Sequence, residues 1–195
     1  MCLTNPVFKF ADDSKVLAKV TNRQDRDLLQ RDLEQIQQWS DTWQIAFNTS
    51  KCKVVHIGRT NQKFQYSMGN QNLDTVSDQR DLGIQLTADL KPSIQCQKAY
   101  SKASKVLGMI TRTFSYKGRD IMVRLYKSVV RPHLEFCISA WSPYYKKDKE
   151  ILERVQHRFT RMFPGLRTLP YAHRLQLLGL WSLEERRNRS DLGTS

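Results

Sequence analysis

Two adjacent carboxylates, Asp12 and Asp13, lie between short apolar runs in VFKFADDSKVLAKV, on a chain that is otherwise strongly basic. The β-branched and aromatic flanks predict paired strands, and Asp-Asp-Ser supplies turn residues, so the carboxylates are expected at a hairpin tip. Carboxylates held this close repel one another unless a cation lies beside them. Mg²⁺ suits such a site because it takes one or two carboxylates and keeps water and phosphate oxygens around it. The pair therefore indicates magnesium-dependent phosphoryl transfer, the alternative being a solvated turn.

The FADD tetrapeptide after an apolar strand resembles the polymerase active-site hairpin of reverse transcriptases. Further segments follow in the order found in non-LTR (LINE-type) retrotransposon enzymes. WQIAFNTSKCKVVHIG is similar to the element after that hairpin, and DQRDLGIQLTADLKP is similar to the primer grip with its Leu-Gly pair. The segment from LYKSVVRPHLEFCISAW to SLEERRNRSDL resembles the thumb side of jockey-like and chicken-repeat-like elements. The resemblance covers essentially the whole chain.

The resemblance implies catalytic roles for three residues. Asp12 matches the family's principal metal-binding aspartate and Asp13 its neighbour, so both are expected to hold Mg²⁺ and to be catalytic. Lys51, or else Lys53, matches a lysine that helps pyrophosphate to leave. An ammonium group beside a leaving phosphate is suited to that task on chemical grounds.

The resemblance also implies an α+β fold in two parts. Residues 1–91 form part of a reverse-transcriptase palm, with a small antiparallel sheet, a packed helix, the active-site hairpin and a primer-grip-like hairpin. Leu82 and Gly83 match the primer grip, where glycine permits close backbone approach. Residues 92–195 form a basic, all-helical, thumb-like region.

The apolar periodicity predicts the individual elements. A helix is expected over 22–44, backing a small mixed sheet that joins the Asp-Asp hairpin to a strand at 52–58. A hairpin around 64–86 leads into helices over most of 93–190, one of them ended by Pro132. The side chains expected to be buried are Leu33, Ile36, Trp43, Val55, Leu107, Leu125 and Trp141.

The net charge of +13 is concentrated in the second half of the chain. Residues 1–96 hold 12 Lys and Arg against 11 Asp and Glu, whereas residues 97–195 hold 20 against 8. This imbalance predicts a polyanionic partner, nucleic acid first and an anionic membrane surface second, the alternative being a solubilising surface. YYKK at 144–147 places aromatic rings beside basic residues, and this segment could stack on or clamp nucleic acid. The alternative is that it is a solvated loop. The expected nucleic-acid contacts are Lys98, Lys102, Lys105, Arg112, Lys127, Arg131, Lys146, Lys147, Arg158 and Arg161.

The fingers and a further metal-binding aspartate of the family lie upstream of FADD, and the chain starts nine residues before Phe10. The chain is therefore expected to be a truncated palm and thumb that binds template–primer duplexes of RNA and DNA but does not polymerise alone. Two alternatives stay open. The helical half could serve as a noncatalytic protein-interaction module, or unpaired strand edges could prevent stable folding.

The cysteines bear on compartment and metal content. Cys2, Cys52, Cys96 and Cys137 are dispersed without any CxxC pair, which argues against a zinc site and against a disulfide framework. The N-terminus lacks the features of a signal peptide, and no apolar run approaches the length of a membrane span. An intracellular protein, nuclear or cytoplasmic, is expected, without a membrane partner.

Overall fold

The computed structural model describes residues 3–116 and 118–192, with side chains up to residue 189. The predicted α+β class is confirmed, since short two-stranded sheets precede a region that is mainly helical from Ser93 onward. The chain divides into two compact units. One comprises the chain up to Gln79 together with Thr87–Leu90, and the other comprises Arg80–Leu86 and the chain from Lys91 onward.

Helix α1, Arg23–Trp43, matches the predicted range of 22–44. The Asn22 side chain accepts a hydrogen bond from the Asp25 amide (2.9 Å), and the Asp25 carboxylate accepts one from the Asn22 amide (3.2 Å). This reciprocal capping box satisfies backbone donors that the first helical turn leaves free. The helix start is therefore determined by local sequence.

The described strands form four separate sheets of two strands each. Two sheets are antiparallel: β1 (Val7–Phe10) pairs with β2 (Asp13–Val16), and β4 (Ser67–Met68) pairs with β5 (Gln71–Asn72). In a third sheet, β3 (Lys53–Val55) runs parallel to β6 (Asp74–Val76). In the fourth, β7 (Asp78–Asp81) pairs with β8 (Ile84–Thr87). The predicted mixed sheet is wrong, because β3 pairs with β6 and not with the Asp-Asp hairpin. Lys53 lies opposite Asp74, and their side chains form a 2.6 Å ion pair across these two strands.

The core of the first unit lies between α1 and the β4–β5 hairpin. Leu29, Leu33 and Ile36 of α1 pack against a buried cluster that consists of Tyr66, Met68 and Leu73. Trp43, expected in this core, is 65% exposed, so that prediction is wrong. A helix of 21 residues is about 31 Å long, and strands of two residues cover only part of its length. In the last turn of α1, Ser40 is buried whereas Trp43 faces solvent.

Asp32, on α1, anchors the segment that leads into β1. Its carboxylate is fully buried and accepts hydrogen bonds from the Thr4 amide (2.9 Å), the Asn5 amide (2.8 Å) and the Asn5 side chain (2.8 Å). Burial raises the pKa of Asp32, but these hydrogen bonds outweigh burial and leave the pKa below its ordinary value of 3.8. Charge-assisted bonds of this kind hold a carboxylate ionised.

Acid should therefore weaken the attachment of this segment. Ionised Asp32 stabilises the fold fully above pH 3.8, and this contribution disappears as the pH falls through the lowered pKa of the folded state. Asp32→Ala should lower the free energy of unfolding at neutral pH by about 1–3 kcal/mol, since three hydrogen bonds to a charged acceptor are lost. Urea denaturation at neutral and acid pH measures both effects. Asp12→Asn, at an exposed carboxylate, is the control, and an equal loss in that variant would contradict the assignment.

The second unit is built from helices around a single apolar core. The helices are α2 (Ser93–Thr113), α3 (Arg119–Leu125), α4 (Pro132–Glu135), α5 (Ile138–Trp141), α6 (Lys146–Thr160), α7 (Tyr171–Leu177) and α8 (Leu183–Leu192). Leu107 and Trp141 are buried as predicted. Leu33, Ile36, Val55 and Leu125, expected to be buried, are half-buried.

Pro132 does not end its helix, contrary to the prediction. A π-helical turn, Tyr126–Val130, follows α3, and the Arg131 amide donates to the Tyr126 carbonyl five residues back (2.9 Å). Pro132 then occupies the first position of α4. A proline is tolerated there because the first turn of a helix needs no N–H donor at that position.

Cys2 of the dispersed cysteines and Lys117 of the basic second half lie outside the described residues. Cys52, Cys96 and Cys137 are free thiols. Within the described residues, every helix is too short or too polar to span a bilayer.

Candidate functional site

The predicted hairpin is confirmed, but its turn lies earlier than Asp-Asp-Ser, because Asp13 and Ser14 already belong to β2. Phe10 pairs with Asp13 across β1 and β2, which leaves Ala11 and Asp12 as a two-residue turn. Ala11 has a φ of 53°, the left-handed conformation that two-residue hairpin turns require. Both aspartate side chains are exposed, so a ligand can reach them.

The chemistry of this tip suits a hard cation in part. Two carboxylates offer oxygen ligands of the type that Mg²⁺ prefers. Over residues 3–116 and 118–192, no group of three or more His, Cys, Asp or Glu side chains is close enough to hold a metal ion. Asp12 and Asp13 therefore fit Mg²⁺ in ligand type and supply only part of a coordination shell.

The two lysines considered for the leaving group have different surroundings. Lys51 ends a 3₁₀ turn, Thr49–Lys51, and is exposed. Lys53 is half-buried and is engaged by Asp74 at 2.6 Å. Since an ammonium group in an ion pair is less available to a phosphate, the structure favours Lys51 over Lys53.

Leu82 and Gly83 form the turn between β7 and β8, where the resemblance places the primer grip. Their φ angles are 45° and 89°, so both central residues are left-handed, as in a type I′ turn. A Cβ on Gly83 would lie 3.1 Å from the Phe136 ring. Glycine is therefore required here both for its φ angle and for the approach of the turn to Phe136.

Gly83→Ala should destabilise the second unit by about 1–3 kcal/mol, because strain in the left-handed region adds to the contact with Phe136. Urea denaturation of the full chain measures the loss. Gly165→Ala is the matched control, because a Cβ there meets no atom within 4 Å and its φ angle is not left-handed. Equal losses in the two variants would contradict the role of the turn.

Helix α2 carries a basic face opposite its buried face. Lys98, Lys102 and Lys105 are all exposed, at the helical spacing that places them along one side. The opposite side holds apolar residues, among them Ala103 and Leu107, each fully buried. Lys98 also donates a hydrogen bond to the Gln85 side chain, so Lys102 and Lys105 have the greater freedom to meet a ligand.

The other predicted contacts do not all reach the surface equally. Arg112 is exposed in the last turn of α2, whereas Lys127 and Arg131 are half-buried. Arg131 also pairs with Glu135 at 3.5 Å. Two predicted contacts lie at the start of α6, where Lys146 is exposed and Lys147 lies over the Tyr145 ring. That ring contacts the Tyr144 ring at 4.1 Å between centroids.

A basic groove of about 450 Å³ lies along the C-terminal half of α6 and is called the α6 groove below. The side chains that line it are Arg154, His157, Arg158, Arg161, Met162 and Arg167. The sequence prediction included Arg158 and Arg161 but missed Arg154, one turn before Arg158. It also missed Arg167, which reaches the groove because its Nε donates to the Arg161 carbonyl (3.2 Å). Helical spacing could have identified Arg154, but only the tertiary structure places Arg167 here.

A second cavity, of about 530 Å³, is lined by acidic and basic side chains. One of them, Glu153, takes part in a hydrogen-bond network that holds the fold together. Glu153 accepts hydrogen bonds from the Tyr171 hydroxyl and from the Leu183 amide (3.1 Å) at the start of α8. Burial raises the pKa of Glu153, and these bonds only partly offset burial. Gln156 donates to the Tyr171 hydroxyl (3.0 Å) and accepts from the Tyr126 hydroxyl (2.8 Å). The network joins α6, α7, the start of α8 and the π-helical turn that contains Tyr126, and sequence spacing did not reveal it.

No protein-family model matches the chain, and comparison with the curated proteins and with the solved structures finds no match either.

Proposed function

We propose that the chain is the C-terminal palm and thumb part of a non-LTR retrotransposon reverse transcriptase that binds template–primer duplexes of RNA and DNA. The observation that carries this proposal is the exposed basic face of α2, formed by Lys98, Lys102 and Lys105 on a helix whose other face is buried. A row of ammonium groups on a rigid helix suits the regularly spaced phosphates of a duplex. Contacts of this type are independent of base sequence.

The hairpin of β1 and β2 supports the polymerase origin of the chain. Asp12 and Asp13 are presented at an exposed tip, and Lys51 is an unpaired ammonium group among the described residues. Mg²⁺ bound by the two carboxylates would neutralise charge on phosphate oxygens at a primer end. Because one hairpin supplies only part of a two-cation site, we expect duplex binding without primer extension by this chain alone.

One experiment with a primed RNA template, Mg²⁺ and dNTPs tests both parts of the proposal. Fluorescence anisotropy should show duplex binding by the full chain at low salt, and an Asp12→Asn variant should bind within about twofold. Primer extension should be indistinguishable between the two proteins. Absence of duplex binding would refute the function, and template-dependent extension that disappears in Asp12→Asn would refute the noncatalytic part.

A further inference from the structure

Arg174, on α7, is a buried cation without a carboxylate partner among the described residues. Its side chain is only 2% exposed, and its Nε atom has no hydrogen-bond partner. The guanidinium group donates to the His157 carbonyl (3.4 Å) and to His157 Nδ1 (3.4 Å), and it lies 5.3 Å from the centre of the Tyr171 ring. Both hydrogen bonds are long, so the charge is only weakly compensated.

The surroundings of Arg174 add positive charge. Burial lowers the pKa of Arg174, and the nearby Arg161 lowers it further. The α6 groove contains four arginines and no carboxylate, and His157 contributes to its wall. Like charges gathered around a buried cation destabilise the fold unless an anion lies among them. The arrangement therefore has the electrostatics of an anion site.

Arginine narrows the chemistry of that anion. A guanidinium group offers a planar fork of donors that matches phosphate oxygens in pairs, and it is less strongly hydrated than an ammonium group. Four arginines around one groove offer more donors than a single phosphate can use, so several linked phosphates suit the groove better.

We propose that the α6 groove is a phosphate-binding site for consecutive phosphate groups, with Arg158 and Arg161 contacting the anion and the buried Arg174 adding positive charge through its contact with His157. The identification of these phosphates as those of a nucleic-acid backbone rests on the proposed function, whereas the site itself follows from the groove. It is distinct from the lysine face of α2, and both sites lie in the second unit.

His157 provides a local reporter of the anion. Its ring stacks on Tyr171 at 3.6 Å between centroids, and burial first, then Arg174 and Arg161, lower its pKa. Glu153, one turn earlier on α6, is engaged by the Tyr171 hydroxyl. Negative charge in the groove should raise the pKa of His157, because it offsets the two arginines. His56, which does not line the groove, should not respond.

The experiment uses the full chain with tripolyphosphate as the free-phosphate probe and a short RNA duplex as the backbone-phosphate probe. Calorimetry should show saturable tripolyphosphate binding, and NMR titration should show the pKa of His157 rising on binding while that of His56 is unchanged. The double variant Arg158→Gln and Arg161→Gln should reduce the affinity for tripolyphosphate at least about tenfold. The matched control, Arg119→Gln and Arg124→Gln, changes two exposed arginines of α3 and should bind within about twofold.

The outcomes separate this inference from the proposed function. Three results would overturn the site: no saturable binding of tripolyphosphate, binding that leaves the pKa of His157 unchanged, or an equal loss of affinity in both double variants. Duplex binding that survives such a result would leave the proposed function standing. Tripolyphosphate binding in the groove without duplex binding would establish the site and refute the nucleic-acid function. The NMR readout on the unaltered chain decides the question even if the groove variant folds poorly.

Discussion

Raising the salt concentration from about 50 mM to about 200 mM should weaken duplex binding roughly a thousandfold, if about six phosphates are contacted. The reason is that each neutralised phosphate releases condensed counterions, and added salt opposes that release. The second half of the chain provides the cations, with 20 Lys and Arg against 8 Asp and Glu. Anisotropy titrations at four or five salt concentrations give the slope of log affinity against log salt. Affinity that does not change with salt would favour the noncatalytic protein-interaction alternative.

Charge placement can be separated from total charge in the same titration. Lys102→Gln with Lys105→Gln removes two cations from the exposed face of α2 and should reduce the salt slope by about 2. Lys19→Gln with Lys63→Gln removes the same charge from exposed positions in the first unit and is the matched control. The control should leave the slope nearly unchanged. An equal reduction in both variants would show that only net charge matters and would refute the assignment of the face.

Phe159→Ala should lower the free energy of unfolding of the second unit by about 3–5 kcal/mol. Phe159 is fully buried on α6, and its ring stacks on Tyr126 (4.2 Å between centroids) and meets Phe163 edge-on (5.6 Å). Truncation leaves a cavity between rings that cannot easily close, and it removes two aromatic contacts. A loss of this size is a large share of the stability of an ordinary domain.

Urea denaturation monitored by far-UV circular dichroism measures the effect, since most of the helix belongs to the second unit. Phe114→Ala, which truncates a phenylalanine that is 38% exposed at the end of α2, is the matched control. It should lose clearly less than Phe159→Ala, because Phe114 is partly exposed to water whereas Phe159 is fully buried. Comparable losses in the two variants would contradict the single aromatic core.

The acidic tip and the basic helix were predictable because both depend on local sequence. Two short apolar segments separated by turn residues predict a hairpin, and Asp12 and Asp13 lie at the end where its two strands meet. The lysines of α2 share one face because the helix repeats every 3.6 residues. The parallel pairing of β3 with β6 was not predictable in the same way, since it joins residues such as Lys53 and Asp74 that lie 21 positions apart in the sequence.

Sequence by itself determined the helical and hairpin elements, the concentration of positive charge in the second half and the adjacency of the two carboxylates. Helices form from hydrogen bonds between residues four apart, and apolar periodicity reports directly which face packs. Only the tertiary structure decided that Trp43 is exposed, that Pro132 begins a helix after a π-helical turn, and that Arg167 and Arg174 lie near Arg161. Burial and proximity depend on which elements meet, and elements far apart in sequence meet through packing that no local pattern encodes.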